Sequence, residues 1–362
     1  MTDIAREIVV DLDALRHNIA ALSARVAPAE VMVVVKNDAY GHGLLEVATT
    51  SVEAGVSWIG ALDVPTGLEL RRNGITPPTR IFAWLIDPEE DLAPAIAAGI
   101  DLGISTVPQL ETVSASTGAA SSDAGAARIH LKIDTGLHRN GAKAKDWPQL
   151  VKRALELERQ GVVEVVAIWT HIAEASDDED TLSIRRFEAA VGVASELGVL
   201  APVRHLAASA AAYARSDARF DLVRLGAFVY GLPPGDGPSA ANMGLRQAMT
   251  LRARVTSVES DPDGRRRASI DLGYADGLST FAPGRIEVAI HGRRRPLIAP
   301  LEVDRAWIDL GTDTEVSVGD VVTLWGDGSA GEPTLQEWGD ATSTMSEELV
   351  VRLSPRIPRR AV

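Results

Sequence analysis

Short apolar runs and helix-like stretches alternate eight times between residues 12 and 230, and this alternation leaves few architectures open. Residues 31–35, 57–62, 80–85, 100–104, 128–133, 164–169, 203–206 and 222–225 read as strands. Several are apolar nearly throughout, as strands covered on both faces must be. Amphipathic stretches at 44–54, 87–98, 147–160 and 181–197 read as the helices between them, and a glycine such as Gly55 or Gly198 precedes the next strand. Glycine there takes the left-handed conformation that ends a helix. Eight such units in series predict an α/β fold, a closed parallel (β/α)8 TIM barrel, with an open doubly wound sheet as the alternative.

After Gly231 the texture changes. Residues 232–239 (LPPGDGPS) read as a linker, and short Val-, Ile- and Arg-rich runs follow at 250–258, 268–272, 286–290, 297–301, 305–310 and 321–325, separated by Gly and Asp turns. A helical stretch at 334–340 and a last strand at 349–353 complete a mainly-β domain. The expected division is a barrel over 12–235 and a β domain over 236–362 that also takes up the N-terminal strand 1–11. The length of 362 residues suits two domains. The formal charge of −14 argues against nucleic acid and anionic membrane surfaces as partners. With no cysteine, disulfides, thiolate nucleophiles and Cys-ligated metals are excluded. The opening MTDIAREI has acids where a signal peptide needs a basic start, and no apolar run approaches the ~20 residues of a membrane span, so the chain reads as cytoplasmic.

In a barrel of this kind, chemistry sits at the C-terminal ends of the strands, where the βα loops converge. Lys36 ends the first strand, and the loop after it carries Tyr40 and His42. The fifth strand leads into Asp134 and Arg139, the sixth into Thr170 and His171, the seventh into Ser209, and the eighth carries Arg224 and Gly226. Taken singly these residues are unremarkable: Lys36 is an ordinary strand end, Ser209 a helix cap, and the arginines are partners for the acidic excess. Together they suit an anionic ligand, with a lysine available for covalent work.

The segment VVVKNDAYGHG at 33–43 resembles the PLP-lysine signature of the alanine racemases. HLKIDTGLHR at 130–139, Thr170-His171, LVRLG at 222–226 with Tyr230-Gly231, and GYADG at 273–277 resemble further blocks of that family in the same order. The resemblance implies a pyridoxal-5'-phosphate (PLP) isomerase that interconverts L- and D-alanine. Lys36 would be the Schiff-base lysine and one catalytic base, and Tyr274 the opposed base, contributed across a homodimer. Arg224 would face the pyridine nitrogen and His171 would orient it. Arg139 would engage the substrate carboxylate, and Tyr40, Ser209, Gly226 and Ala227 would hold the phosphate. Lys132 corresponds to a lysine that is carbamylated in some relatives. Product D-alanine would imply supply of peptidoglycan for the cell wall.

The pattern departs from the family at three places. No tyrosine follows Tyr274, and the aligned region near the C-terminus offers Glu347 or Glu348. Glu302-Val303-Asp304 stands where relatives have Cys-Met-Asp, placing Val303 against the substrate. The segment between Val258 and Ala268 is short, with an Asp-Pro-Asp-Gly turn. A pocket changed in this way leaves open a racemase of serine, lysine or ornithine. A lyase of the same barrel class is a further alternative, although it would use a C-terminal-domain cysteine and a pyridine-facing carboxylate.

Overall fold

The computed structural model of the chain describes residues 5–87, 89–119, 125–200, 202–234, 237–280 and 285–362. It divides into two compact units: Leu22–Lys36 with Ala48–Gly226, and Met1–Ala21 with Asn37–Val47 and Ala227–Val362. Strand β1 (Arg6–Val10) belongs to the latter. The former holds one parallel sheet of β2 (Glu30–Val34), β3 (Trp58–Asp63), β4 (Arg80–Leu85), β5 (Ile100–Ile104), β6 (Ala127–Lys132), β7 (Val163–Trp169), β8 (Val203–His205) and β9 (Leu222–Leu225). Each lies within one residue of its expected bounds. Neighbours follow chain order from β2 to β8, and β9 returns to pair with β2. Arg204 N to Asp221 Oδ2 (2.8 Å), Asp221 N to Arg204 O (3.1 Å) and Arg224 N to Ala207 O (3.1 Å) join β8 to β9, so the sheet closes on itself. An open doubly wound sheet is thereby excluded.

Alternate side chains fill the barrel. Met32, Trp58, Phe82, Trp169 and Leu222 form one buried cluster, with Trp84, Val166 and Val203 packed against it. Gly103 on β5 makes room for this aromatic bulk, since a Cβ there would lie 2.9 Å from the Cα of Trp84. The interior is not wholly apolar: Asp101, His130, Lys132, His205 and Arg224 are buried too. His130 stacks on Phe82 (centroids 4.2 Å apart) and His205 lies parallel to Trp169 (5.5 Å).

In the second unit, β10 (Met249–Ser260) pairs with β1 and with strands described next, because its length spans more than one neighbour. With β11 (Arg266–Ile270), β12 (Glu287–Ile290), β13 (Arg293–Ile298), β14 (Ala306–Gly311) and β15 (Val321–Trp325) it forms a closed antiparallel ring in the order β10-β11-β14-β13-β12-β15. Beyond β10 lie β1 and β16 (Arg359–Ala361), paired parallel to each other. The helix Leu335–Thr342 begins at a capping box between Thr334 and Glu337.

Three expectations are corrected. The helix placed at 87–98 covers only Ala93–Ala97, because Asp87 and Asp91 accept from the amides of Glu89 and Ala93, turns that compete with helix. The last strand, placed at 349–353, is instead the helix Ser346–Val351, which buries Leu349 and Val350 and carries a Glu348–Arg352 pair at helical spacing. The strand at 297–301 begins earlier, at Arg293, since His291 and Gly292 both take positive φ and form a two-residue hairpin turn. Residues 235 and 236 of the expected linker lie outside the described residues. Among the described residues no helix is long and apolar enough to cross a membrane.

Phe82 is fully buried and touches Trp84, His130, Trp169 and His205. Phe82→Ala is expected to cost about 3–5 kcal/mol of barrel stability, measured by urea unfolding of the full chain. A loss below about 1 kcal/mol would show that this cluster does not organise the barrel.

Candidate active site

The parallel register of β2 and β9 sets Met32 beside Arg224 and Val33 beside Leu225. Lys36, two residues beyond β2, and Gly226, directly after β9, therefore leave neighbouring strands at the same end of the barrel. Arg224 is only 4 % exposed, and its guanidinium donates to Nδ1 of His205 (3.2 Å), Nδ1 of His171 (3.2 Å) and the carbonyl of Leu206 (3.0 Å). These bonds use part of its N–H set and leave the rest for a ligand. Burial brings its pKa down to about 9, which still keeps it charged at neutral pH.

Cations gather around it. Burial first, then the charges of Arg224 and Arg139, bring Lys132 down to about 7. Its Nζ lies 4.2 Å from the centre of the Trp169 ring and donates to Asn140. Burial, followed by Arg224, Arg139, Lys132 and Lys36, pushes His171 down to about 2, so its ring is neutral and Nδ1 accepts from Arg224. The loop bearing Arg139 is pinned by Asp134, which accepts from the amides of Gly136 and His138 (3.0 Å each) and from His138 Nδ1 (2.8 Å). Ser209 Oγ accepts from Gly226 N (3.0 Å), tying together the loops after β8 and β9. A half-buried lysine, a buried arginine and the Ser209 hydroxyl, which accepts from Gly226 N and can still donate its own O–H, form a donor set that fits a phosphate-bearing aldehyde and a carboxylate.

Residues 37–40 follow Lys36 in a left-handed helical turn, with φ between 52° and 54° at Asn37, Asp38, Ala39 and Tyr40. Such geometry costs roughly 1–2 kcal/mol per non-glycine residue, so the surroundings must impose it. Within the second unit Asp38 caps Leu44 N (2.8 Å), and Arg359 Nε donates to Gly41 O (2.7 Å). His42, in the same loop, is buried. Its Nδ1 donates to the carbonyls of Tyr40 (2.9 Å) and Ala39 (3.1 Å), and its ring packs on Tyr230 at 4.6 Å. Tyr40 also packs on Tyr230, at 5.0 Å.

In the same unit Tyr274 opens a single 3-10 turn, Tyr274–Asp276. Its amide donates to Glu302 O (3.1 Å) and that of Ala275 to Val303 O (2.8 Å), so Tyr274 and Val303 share one ledge, with side chains 46 % and 53 % exposed. Only glycine fits at 273, where a Cβ would stand 2.3 Å from Val303 O. Ala227 begins the 3-10 turn Ala227–Tyr230. His205 was missed by sequence reasoning, because in the strand Val-Arg-His nothing local marks it as the buried polar residue.

The chain matches the N-terminal domain model of alanine racemase over residues 10–234 and the C-terminal domain model over 260–361. It is 42 % identical to the alanine racemase of Frankia casuarinae, covering 98 % of this chain and 95 % of that one, and 41 % identical to that of Salinispora tropica, covering 98 % and 97 %. The crystal structure of alanine racemase from D-cycloserine-producing Streptomyces lavendulae superposes with a TM-score of 0.95 at 37 % identity, covering 100 % of this chain and 98 % of that one.

The chain belongs to the alanine racemase family.

Its departures from the alanine racemase pattern are absorbed locally. Glu302 turns its carboxylate to Trp307 Nε1 (2.8 Å), and Glu348 pairs with Arg352 (2.8 Å). The short segment after Val258 is a tight hairpin, in which Asp261 N donates to Arg265 O (2.8 Å).

Burial holds His130, His171 and His205 below the usual imidazole range, so in the folded barrel they stay neutral. On unfolding each regains a pKa of ~6.5 and binds a proton below it. The unfolded state then carries more protons, and stability falls with pH by about 1.4 kcal/mol per unit for each histidine. Urea unfolding of the cofactor-free chain should therefore show a marked loss between about pH 6.5 and pH 5. Unchanged stability across that window would contradict the neutral assignment.

Proposed function

We propose that this chain is a PLP-dependent alanine racemase, an isomerase that interconverts L- and D-alanine by passing the α-proton between two opposed groups, Lys36 and Tyr274. The observation that carries the reading is that Lys36, at the end of β2, and the buried guanidinium of Arg224 on the adjacent β9 both act on the ring of His171, which with His205 accepts from that guanidinium. An arginine in that place, where a decarboxylase of this barrel class would have a carboxylate, favours racemisation.

PLP, when bound, supplies the electron sink that makes an amino acid's α-carbon acidic enough for a side chain to deprotonate. Lys36 would anchor it through Nζ. Tyr40, Ser209 and the backbone of Gly226 and Ala227 would hold its phosphate. Arg224, oriented by His171, would serve its ring nitrogen; a group that only donates would leave that nitrogen unprotonated. Arg139 fixes the substrate carboxylate with a planar fork. Lys36 Nζ takes or returns the proton on one face of the α-carbon, and Tyr274 Oη does so on the other. Val303, beside Tyr274, forms part of the wall against the substrate methyl group. The engagement of Glu302 and Glu348 elsewhere supports a small apolar side chain over a cationic one.

The functional assembly is a homodimer in which Tyr274 of one protomer serves Lys36 of its partner; the exposure of Tyr274 on a rigid ledge supports this.

Lys36→Ala is expected to abolish racemisation and the visible absorption of lysine-bound PLP, and Tyr274→Phe to lower kcat by about 10²–10⁴-fold. A mixed dimer of the two variants has one site with both groups intact, so unfolding the two inactive proteins together and refolding them should restore activity. Activity absent from such a mixture, with mixed dimers verified by mass spectrometry, would refute the shared site. Turnover of L-lysine faster than L-alanine would refute the substrate.

A further inference from the structure

The barrel interior holds ionisable groups that the proposed reaction does not use. Asp101 on β5, His130 on β6 and His205 on β8 are fully buried, and with Arg224 they form an unbroken file of hydrogen bonds. Arg224 Nη1 lies 3.2 Å from His205 Nδ1, His205 Nε2 lies 3.0 Å from His130 Nδ1, and His130 Nε2 lies 3.0 Å from Asp101 Oδ2.

The proton on each link follows by elimination. A guanidinium has no acceptor, so His205 Nδ1 accepts. A neutral imidazole has a single N–H, so that of His205 sits on Nε2 and donates to His130 Nδ1. His130 must then carry its own proton on Nε2 and donate it to Asp101. Both rings are neutral, because burial lowers their pKa values. Burial alone would raise Asp101, but the bond from His130 and the charges of Arg80 and Arg128 outweigh it and keep the carboxylate ionised. Every link donates in the same sense, from Arg224 to Asp101.

The file is also held rigid. Phe82 stacks on the ring of His130 and Trp169 on that of His205, so neither turns without opening the core. At the far end Arg80 Nη2 and Arg128 Nε each reach Asp101 at 2.6 Å and fix its rotamer.

We propose that Asp101 is a positioning residue for the reaction: through His130 and His205 it fixes the orientation of Arg224 and weakens the donor that Arg224 offers its ligand. This rests on the assignment of Arg224 to the ring nitrogen of PLP. A carboxylate at the end of the file makes His130, and in turn His205, a better acceptor, since bonds in a chain polarise one another. A guanidinium that gives more strongly to His205 gives less through its remaining N–H groups. The ring nitrogen thus meets a soft donor and keeps its lone pair.

A purely structural Asp101 would clamp Arg80 and Arg128 and send nothing further. His130→Gln separates the two, because it breaks the file and leaves that clamp in place; Asp101→Asn removes the charge and keeps an acceptor. The experiment is ¹⁵N NMR of ring-labelled histidine in the full-length holoenzyme, together with its visible spectrum and kinetics. In the unsubstituted protein His130 and His205 should both be neutral with the proton on Nε2; a proton on Nδ1 of either, or a charged ring, overturns the proposal. Asp101→Asn and His130→Gln should each move the His205 Nδ1 resonance and shift the absorption of bound PLP in the same direction. Each should lower kcat about three- to tenfold at constant KM, the scale of one hydrogen bond. Loss of stability with an unmoved His205 resonance and unmoved absorption in His130→Gln would reduce Asp101 to a clamp. Arg224→Lys tests the underlying assignment separately: if it leaves the PLP absorption unchanged, the pairing of Arg224 with the ring nitrogen is wrong, whatever the histidine resonances show.

Discussion

A buried positive charge satisfied by neutral partners is the condition that the barrel interior is built to meet. Removing a guanidinium from water costs several kcal/mol, and an adjacent carboxylate is the usual compensation. Arg224 instead donates to two imidazole nitrogens and a carbonyl, which take up part of its N–H set without cancelling its charge, while the charge of Glu174 only partly offsets its burial. Burial first, and then that surplus with the charges of Arg139 and Lys132, keeps His171 neutral. The same surplus rewards an anionic ligand, whose arrival offsets the repulsion among the cations and stabilises the fold that binds it.

The second constraint is conformational. Four consecutive non-glycine residues in the left-handed region store strain of several kcal/mol directly after Lys36. Strain of this kind persists where the surroundings over-determine the backbone. Here they include Asp38 capping Leu44, His42 locked under Tyr230, and Arg359 reaching Gly41 from the last strand. Since β16 is itself paired with β1, these two strands help hold the loop that follows Lys36.

What the sequence made legible follows from the range of the interactions concerned. Parallel barrel strands are short and apolar on both faces, so their positions show in composition alone, and all eight lay where the alternation placed them. Lys36, Arg139, His171 and Arg224 were legible because a barrel gathers its strand ends and because family blocks surround them. His205 and Asp101 were not, since nothing local separates a buried polar residue from an exposed one; they are joined through His130 only once β5, β6, β7 and β8 lie side by side. The helix Ser346–Val351 was read as a strand because Leu349, Val350 and Val351 are β-prone, whereas its acidic first turn and the Glu348–Arg352 pair favour helix. The left-handed turn was illegible for the opposite reason: no residue in Asn-Asp-Ala-Tyr demands positive φ, and partners far along the chain impose it.

The overall charge and the site's charge then have opposite signs, and magnitudes decide which one the substrate feels. The chain carries −14 formally, but exposed charges are screened within about 8 Å at physiological salt. Alanine is a zwitterion without net charge, so the acidic exterior neither attracts nor repels it at long range. Close to the barrel mouth the balance reverses, because Arg224 and Lys132 act from a buried setting in which a given charge counts for several times its value in water. In the proposed site the carboxylate end of the zwitterion would be drawn toward Arg139, and its ammonium end, close to the same cations, would shed a proton more readily. An amine that must become neutral before it can react is therefore helped by the same cations that hold the anionic end in place.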